Sequence, residues 1–397
     1  MKFLRLPYYW RLARRLWRWL QWVLLAGFVV GAVAVGVMRM FVLPNVDRFR
    51  EPIAEAIGQS LGQRVSLGPI TGGWAGFRPW LMIRDVAIHD DSGREALHLG
   101  RVQAIFGWSS LTSLQVRCRT LSIERLGLTV RRSSDGEITV GGIRVRPDEH
   151  AGGFSDWFLV QSHVVVSDAD LTWIDEQRTG APLELKDVQI QFRNRGRNHR
   201  FQLNARPAFE VGSAIDVRGE FRSGRTSGLR QWRGRIYLHA PYMNLAAARV
   251  WLDLPLRFES GAGNVEAWAE FAGGVLRSAT FDLRVAGATA RIDDSMPALD
   301  IPELQGRIGW LATNDGYEAS ARRLAFGIGD GQQLPPADVM VRHRYATPRA
   351  PARLQIESDR LDLAPVRYFL DRLPVPSALR ESLASHRPRW PSSWRLA

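Results

Sequence analysis

Cysteine is all but missing. Cys118 stands alone in 397 residues, so no disulfide can form within the chain, and the fold must be held by burial and backbone hydrogen bonds. Lysine is nearly as scarce. Of 53 basic residues only Lys2 and Lys186 are lysine; the rest are arginine, whose planar fork lies on aromatic rings and grips phosphate with two parallel bonds. The histidines His89, His98, His150, His163, His199, His239 and His343 are scattered singly across the body. With no His-x-x-x-His pair and no Cys–His cluster, the sequence offers no structural metal. There is no phosphate loop and no Gly-x-Gly-x-x-Gly turn, and Gly327-Ile-Gly329-Asp-Gly331 has the wrong spacing for one. No cofactor is therefore expected.

Acid is absent from residues 1–18, which carry Lys2, Arg5, Arg11, Arg14, Arg15 and Arg18. The next stretch lacks charge altogether: 20 residues separate Arg18 from Arg39, with Gln21 the one strongly polar side chain. About 20 helical residues span ~30 Å, the thickness of a bilayer's hydrocarbon core. Residues 19–43 are read as a transmembrane anchor, its apolar surface formed by Trp19, Trp22, Leu24, Leu25, Phe28, Val29, Val30, Val33, Val35, Val37 and Met38. Basic flanks stay in the cytoplasm, so residues 1–18 form a cytoplasmic stub and the body is expected on the far side. Ala32-Val33-Ala34 resembles a signal-peptide cleavage site, but the apolar run continues to Leu43, and a retained anchor is the preferred reading. Arg39 can snorkel outward.

Residues 44–62 show helical spacing of Val46, Phe49, Ile53, Ile57 and Leu61. They predict a juxtamembrane amphipathic helix, kinked or restarted at Pro52 and stopped near Gly62, lying at the membrane surface. From residue 63 to 386 the texture is of strands, with apolar and polar residues alternating in short runs such as Leu126-Gly-Leu128-Thr-Val130 and Phe281-Asp-Leu283-Arg-Val285. Turn residues such as Ser134-Asp135-Gly136, Gly273-Gly274 and Asn314-Asp315-Gly316 punctuate them. The fold class is mainly β: an N-terminal transmembrane helix, then an elongated, curled antiparallel sheet with one apolar face and a few short helices. About two dozen strands at ~4.8 Å spacing give at most ~115 Å of sheet.

Two echoes support a repeating architecture. Leu81-Met-Ile83-Arg-Asp85-Val86-Ala-Ile88 matches Leu183-Glu-Leu185-Lys-Asp187-Val188-Gln-Ile190. In both, apolar parity shifts at the aspartate, which predicts a bulge or tight bend at Asp85 and Asp187. Asn244 to Leu252 and Asp362 to Leu370 each open on an N-cap residue before a Leu-Ala run, predicting two short helices. Residues 387–397 have neither periodicity and read as an aberrant or disordered tail produced by truncation or frameshift.

The one stretch that invites an enzymatic reading is Val164 to Thr172, where a strand followed by Asp168-x-Asp170-x-Thr172 resembles the first motif of aspartate-nucleophile phosphatases. That chemistry also needs a lysine and a downstream acidic metal pair on a parallel sheet, and Lys186 is the body's only lysine. Asp168 and Asp170 are read instead as a strand edge and turn, and the chain as not an enzyme. Its basic excess is not a nucleic-acid signature, because Arg alternates with Asp and Glu through the body. Gly72-Gly73-Trp74-Ala75-Gly76-Phe77-Arg78-Pro79 reads as a sharp turn whose tryptophan plugs an open end of the sheet.

The apolar anchor, the Leu43-Pro44 exit, the helix ending Leu61-Gly62-Gln63, the Gly73-Trp74-x-Gly76-Phe77-Arg78-Pro79 turn and Leu81-x-Ile83-Arg84-Asp85-Val86 together resemble the amino-terminal part of the AsmA-like family. The likeness continues through Ala169-Asp170-Leu171-Thr172-Trp173, Leu183-x-Leu185-Lys186-Asp187-Val188 and the Leu245-Ala246 and Leu363-Ala364 helices, to about residue 385. It implies a bacterial inner-membrane protein whose periplasmic body is a long curled sheet, carrying phospholipid between membranes along an apolar groove as the chorein-type bridge proteins of eukaryotes do. Members of the family are much longer than this chain.

The residues alone support the same picture. An antiparallel sheet with one apolar face and few helices to cover it can curl into a trough for acyl chains, which gain ~0.8 kcal/mol per CH₂ removed from water. Head groups would stay outside, against arginine. The expected lining is Leu81, Ile83, Ile123, Leu128, Val130, Leu183, Leu185, Ile236, Leu238, Phe281, Leu283 and Val285. Expected partners are phospholipid acyl chains, the inner membrane, and outer-membrane or periplasmic proteins, with no nucleic acid. The rival reading is an envelope scaffold binding proteins through open strand edges.

Overall fold

The computed structural model describes residues 6–61, 63–89, 93, 95–107, 117–141, 143–145, 158–178, 180–224, 232–252, 256–291, 296–328, 332–348, 350–360 and 394–396. Helix α1 (Leu6–Val37) runs unbroken from the basic stretch through the apolar one. A π turn at Met38–Val42 and a 3₁₀ segment at Leu43–Phe49 follow, with non-helical backbone at Asn45 (φ −108°, ψ 15°). Helix α2 (Arg50–Leu61) then restarts with Pro52 in its first turn, where a missing N–H costs nothing. Among the described residues this is the one helical stretch long and apolar enough to cross a membrane.

The rest is one 19-stranded sheet. Its strands are β1 (Arg64–Leu67), β2 (Ile70–Ala75), β3 (Arg78–His89), β4 (Glu95–Phe106), β5 (Cys118–Arg132), β6 (Ile138–Val140), β7 (Ile143–Val145), β8 (His163–Asp175), β9 (Leu183–Arg195), β10 (Asn198–Pro207), β11 (Ile215–Arg222), β12 (Arg233–Asn244), β13 (Arg257–Ala272), β14 (Val275–Arg291), β15 (Leu299–Ala312), β16 (Gly316–Ile328), β17 (Gln332–Arg344), β18 (Arg353–Ser358) and β19 (Trp394–Leu396). From β8 to β18 each strand pairs with the next in antiparallel register, and the curled sheet does not close.

Three details correct the sequence reading. β5 and β8 pair in parallel, Leu121 with Val164 through Arg132 with Asp175; the intervening chain is long enough for the crossover a parallel pair requires. Trp394–Leu396, in the tail without periodicity, pair with β18. Helix α2 and the 3₁₀ segment before it, expected at the membrane surface, pack on the sheet: Val46, Ile53, Ala54 and Ile57 meet Val65, Leu67, Ile70, Val86, Ile88 and Leu99. Phe49, on the same helical stripe, stays exposed. The expected stop at Gly62 and the second capped helix, Asp362 to Leu370, lie outside the described residues. The first capped helix is present as α3 (Leu245–Ala248), with the Asn244 side chain accepting from the Ala247 N–H at 3.2 Å.

Candidate functional site

Cross-strand partners share a face of the sheet, so the register can be followed from strand to strand as rows. One row runs Gly72, Leu81, Ala104, Leu121, Val164, Phe192, Phe201, Gly219, Ile236, Ala269, Ala279, Trp310, Ala319, Val341, Ile356. The next on the same face runs Ile70, Ile83, Val102, Ile123, Val166, Ile190, Leu203, Val217, Leu238, Ala267, Phe281, Ile308, Ala321, Val339. The second row ends on Ser358 of β18; up to β17 neither row contains a polar side chain.

The opposite face is polar and laced with ion pairs across strands. Arg101 meets Glu124 at 2.9 Å, Glu220 takes Arg200 at 3.3 Å and Arg235 at 2.7 Å, and Arg342 bridges Glu318 and Glu357 at 3.2 Å each. Asp282 is held below the usual carboxylate range by its hydrogen bond from Arg307, against the opposing effect of burial. Such exposed pairs add little stability. Their consequence is to fix which face meets water.

Strict alternation alone would not keep this pattern, because β3, β5, β8, β9 and β16 change parity part-way. The change falls at residues with left-handed backbone: Asp85 (φ 53°), Arg125 (φ 55°), Asp168 (φ 52°), Asp187 (φ 50°) and Arg323 (φ 49°). Before the bend in β3 the inward residues are Leu81 and Ile83; after it they are Val86 and Ile88, and all four join one cluster. In β8 and β9 the same step carries Val166 to Ala169 and Leu185 to Val188, again within one cluster. The bends at Asp85 and Asp187 agree with the parity shift read from the sequence; those at Arg125, Asp168 and Arg323 were missed, although the same shift marks them. Register places Asp85 level with Gly100, Gly100 with Arg125, and Arg125 with Asp168, so the bends line up as a seam across neighbouring strands. A Cβ at Gly100 would come within 2.9 Å of the Arg125 Nε and 3.0 Å of its Cβ, so the arginine would have to shift to admit it.

Six of the twelve expected lining residues lie in these two rows. Leu81 and Ile236 lie in the first row; Ile83, Ile123, Leu238 and Phe281 lie in the second. Leu283 and Val285 continue the Phe281 phase towards the cluster of Leu245, Phe258, Ala288 and Leu299. Leu128 and Val130 pair across the seam with Leu171 and Trp173, which pair with Leu185 and Leu183. Of the expected anchor residues, all are exposed except Val35 and Met38.

Coverage of the apolar face is uneven. At the first strands α2 lies over it, and near Leu121, Val164 and Phe192 it meets Phe158. From β12 to β18 every member of the two rows is half-buried or exposed except Ala279. The apolar face is thus left open over these strands. Asp168 and Asp170 are exposed residues in the middle of β8, at its bend, not at a strand edge and turn. Gly58-Gln59-Ser60-Leu61-Gly62 has Gly-x-Ser-x-Gly spacing, but Gly58–Leu61 end helix α2 rather than forming the strand-to-helix turn that presents a nucleophile. Among the described residues no group of His, Cys, Asp and Glu could hold a metal ion.

A sheet of this length with two apolar rows and an apolar helix before it agrees with the comparison to known proteins, in which the family described as YhdP protein matches residues 1–389. The chain belongs to the YhdP family. It is 25% identical over 298 residues to a protein of Escherichia coli (strain K12) named intermembrane phospholipid transporter YhdP. The aligned part is 74% of this chain and 22% of that protein, so the chain spans about a fifth of the length of the relative it matches. No solved structure matches it.

Proposed function

We propose that this member of the YhdP family is a non-enzymatic carrier of phospholipid, anchored in the bacterial inner membrane by α1 with its basic end in the cytoplasm and its sheet in the periplasm. Acyl chains lie in the trough over the two apolar rows, and head groups remain at its open side. Each CH₂ taken from water contributes ~0.8 kcal/mol. Because the floor is equally apolar at every strand, moving from one to the next changes that energy little, so lipid slides towards the outer membrane and sustains its permeability barrier. Further envelope proteins would receive it. The observation that carries this reading is the pair of apolar rows, uninterrupted to β17 and half-exposed from β12 onward.

Phe281 and Trp268 supply the test. They are 38% and 37% exposed, on adjacent strands and opposite faces: Phe281 pairs with Ala267, and Trp268 pairs with Thr280. A photo-crosslinking amino acid at 281 is expected to capture phospholipid in cells, and one at 268 is not. Leu283→Asp is expected to abolish the adduct at 281 while the sheet still folds. Equal labelling at both positions, or a protein adduct at 281 in place of lipid, overturns the proposal and favours a scaffold.

A further inference from the structure

We propose that the β2–β3 hairpin is a second membrane-contacting element, its tip at Gly76–Phe77 dipping into the leaflet on the far side of the anchor, beside the end of α1. The proposal rests on the reading of α1 as a membrane span.

Two contacts place the hairpin there. Gly72 of β2 packs against Leu43, so that a Cβ on it would lie 3.0 Å from the Leu43 Cδ2 and 3.1 Å from its carbonyl oxygen. Two residues on, Trp74 carries the Arg39 guanidinium over its ring, 5.9 Å from the centroid. Four helical residues advance ~6 Å and two strand residues ~6.6 Å, so strand and helix run side by side, β2 heading back towards the bilayer. The hairpin turns two to three residues later, at Gly76 (φ 63°), which puts its tip about one helical turn further along, level with Val35 and Gly36.

The tip's composition suits that depth. Phe77 is 86% exposed at the turn, costly for an aromatic facing water and favourable at the boundary of headgroup and acyl chain. Arg39 marks the charged limit of the apolar run, and Arg78 follows Phe77 directly, so guanidinium groups sit beside the phosphate level while the ring goes below it. Gly72 and Leu81, at the start of the first apolar row, are paired within this same hairpin. The hairpin therefore brings the beginning of the trough against lipid.

The test uses the full chain in vesicles of phosphatidylethanolamine and phosphatidylglycerol, labelled one site at a time with a fluorophore on an introduced cysteine. Cys118 is buried and does not compete. Sites are Phe77→Cys, Val30→Cys within the anchor, and Phe209→Cys, which is 90% exposed on the body. Quenching by nitroxide-bearing lipids is expected at 77 and at 30 and not at 209; quenching by aqueous iodide is expected at 209 alone. Iodide quenching at 77 equal to that at 209, with 30 still lipid-quenched, overturns the hairpin proposal and leaves the anchor standing. Absence of lipid quenching at 30 overturns the anchor, and the hairpin proposal with it.

Discussion

The Asp47 carboxylate accepts a hydrogen bond from the backbone N–H of Ile70 at 2.9 Å, while its other oxygen accepts one from Arg50 at 2.9 Å. These contacts, the Ile70 bond first, hold Asp47 below the usual carboxylate range. Ile70 opens the second apolar row. A single side chain thus ties the helical segment after the anchor to the first strands of the trough.

Removing that tie gives the first prediction. Asp47→Ala leaves the Ile70 N–H without its acceptor, and amide exchange at Ile70 is expected to accelerate on the order of tenfold, with no change at strands beyond β8. Because the folded-state pKa is lowered, the contact is intact above the ordinary value of 3.8 and is lost as pH falls through the lowered one. Hydrogen exchange resolved by residue checks both statements.

The seam gives the second. Asp and Asn tolerate left-handed backbone better than most residues, and β-branched side chains tolerate it least. Asp85→Val is expected to destabilise by about 1–3 kcal/mol and Asp85→Gly to be neutral or mildly stabilising. The same ordering is expected at Arg323, measured by chemical denaturation. A value for Asp85→Val no larger than for a valine at an ordinary exposed strand position would show that the backbone there relaxes without cost.

The third concerns acid. His199 is buried between the Asn194 Oδ1 at 2.9 Å and the Ser223 Oγ at 3.2 Å and stacks on Phe221. Burial pushes its pKa below the ordinary 6.5; His163 is pushed the same way, first by burial and then by Arg193. Both bind protons more readily unfolded than folded, so stability rises with pH between their lowered folded values and 6.5. Above 6.5 the contribution is complete, and it is lost as pH falls through that window. The melting midpoint is expected to fall on acidification from pH 7.5 to 5.5, and His199→Gln to flatten the dependence while lowering the midpoint at pH 7.5.

Much of this was legible in the sequence because a sheet with one wet and one dry face writes its alternation into every strand. Leu81 to Ile88 and Leu183 to Ile190 even display the bend, since the parity shift is local and the aspartate that tolerates it is conspicuous. Arg125 and Arg323 carry the same bend on a residue type that gives no such hint. The parallel pairing of β5 with β8 was not legible, because register between distant strands depends on the path of residues 133–162 and leaves no mark within either strand. The docking of α2 was equally hidden. A stripe of Val46, Ile53 and Ile57 fits a lipid surface as well as a sheet, and only the neighbouring Val65, Ile70 and Val86 decide between them.

The seam has one more consequence. β3, β5, β8, β9 and β16 each bring their own corner, so the curvature of the wall there needs no agreement among distant parts of the chain. A hairpin inserted or deleted anywhere along it would inherit the same profile, as a gutter is lengthened by identical sections. The reach of such a molecule is then a quantity that descent can adjust two strands at a time.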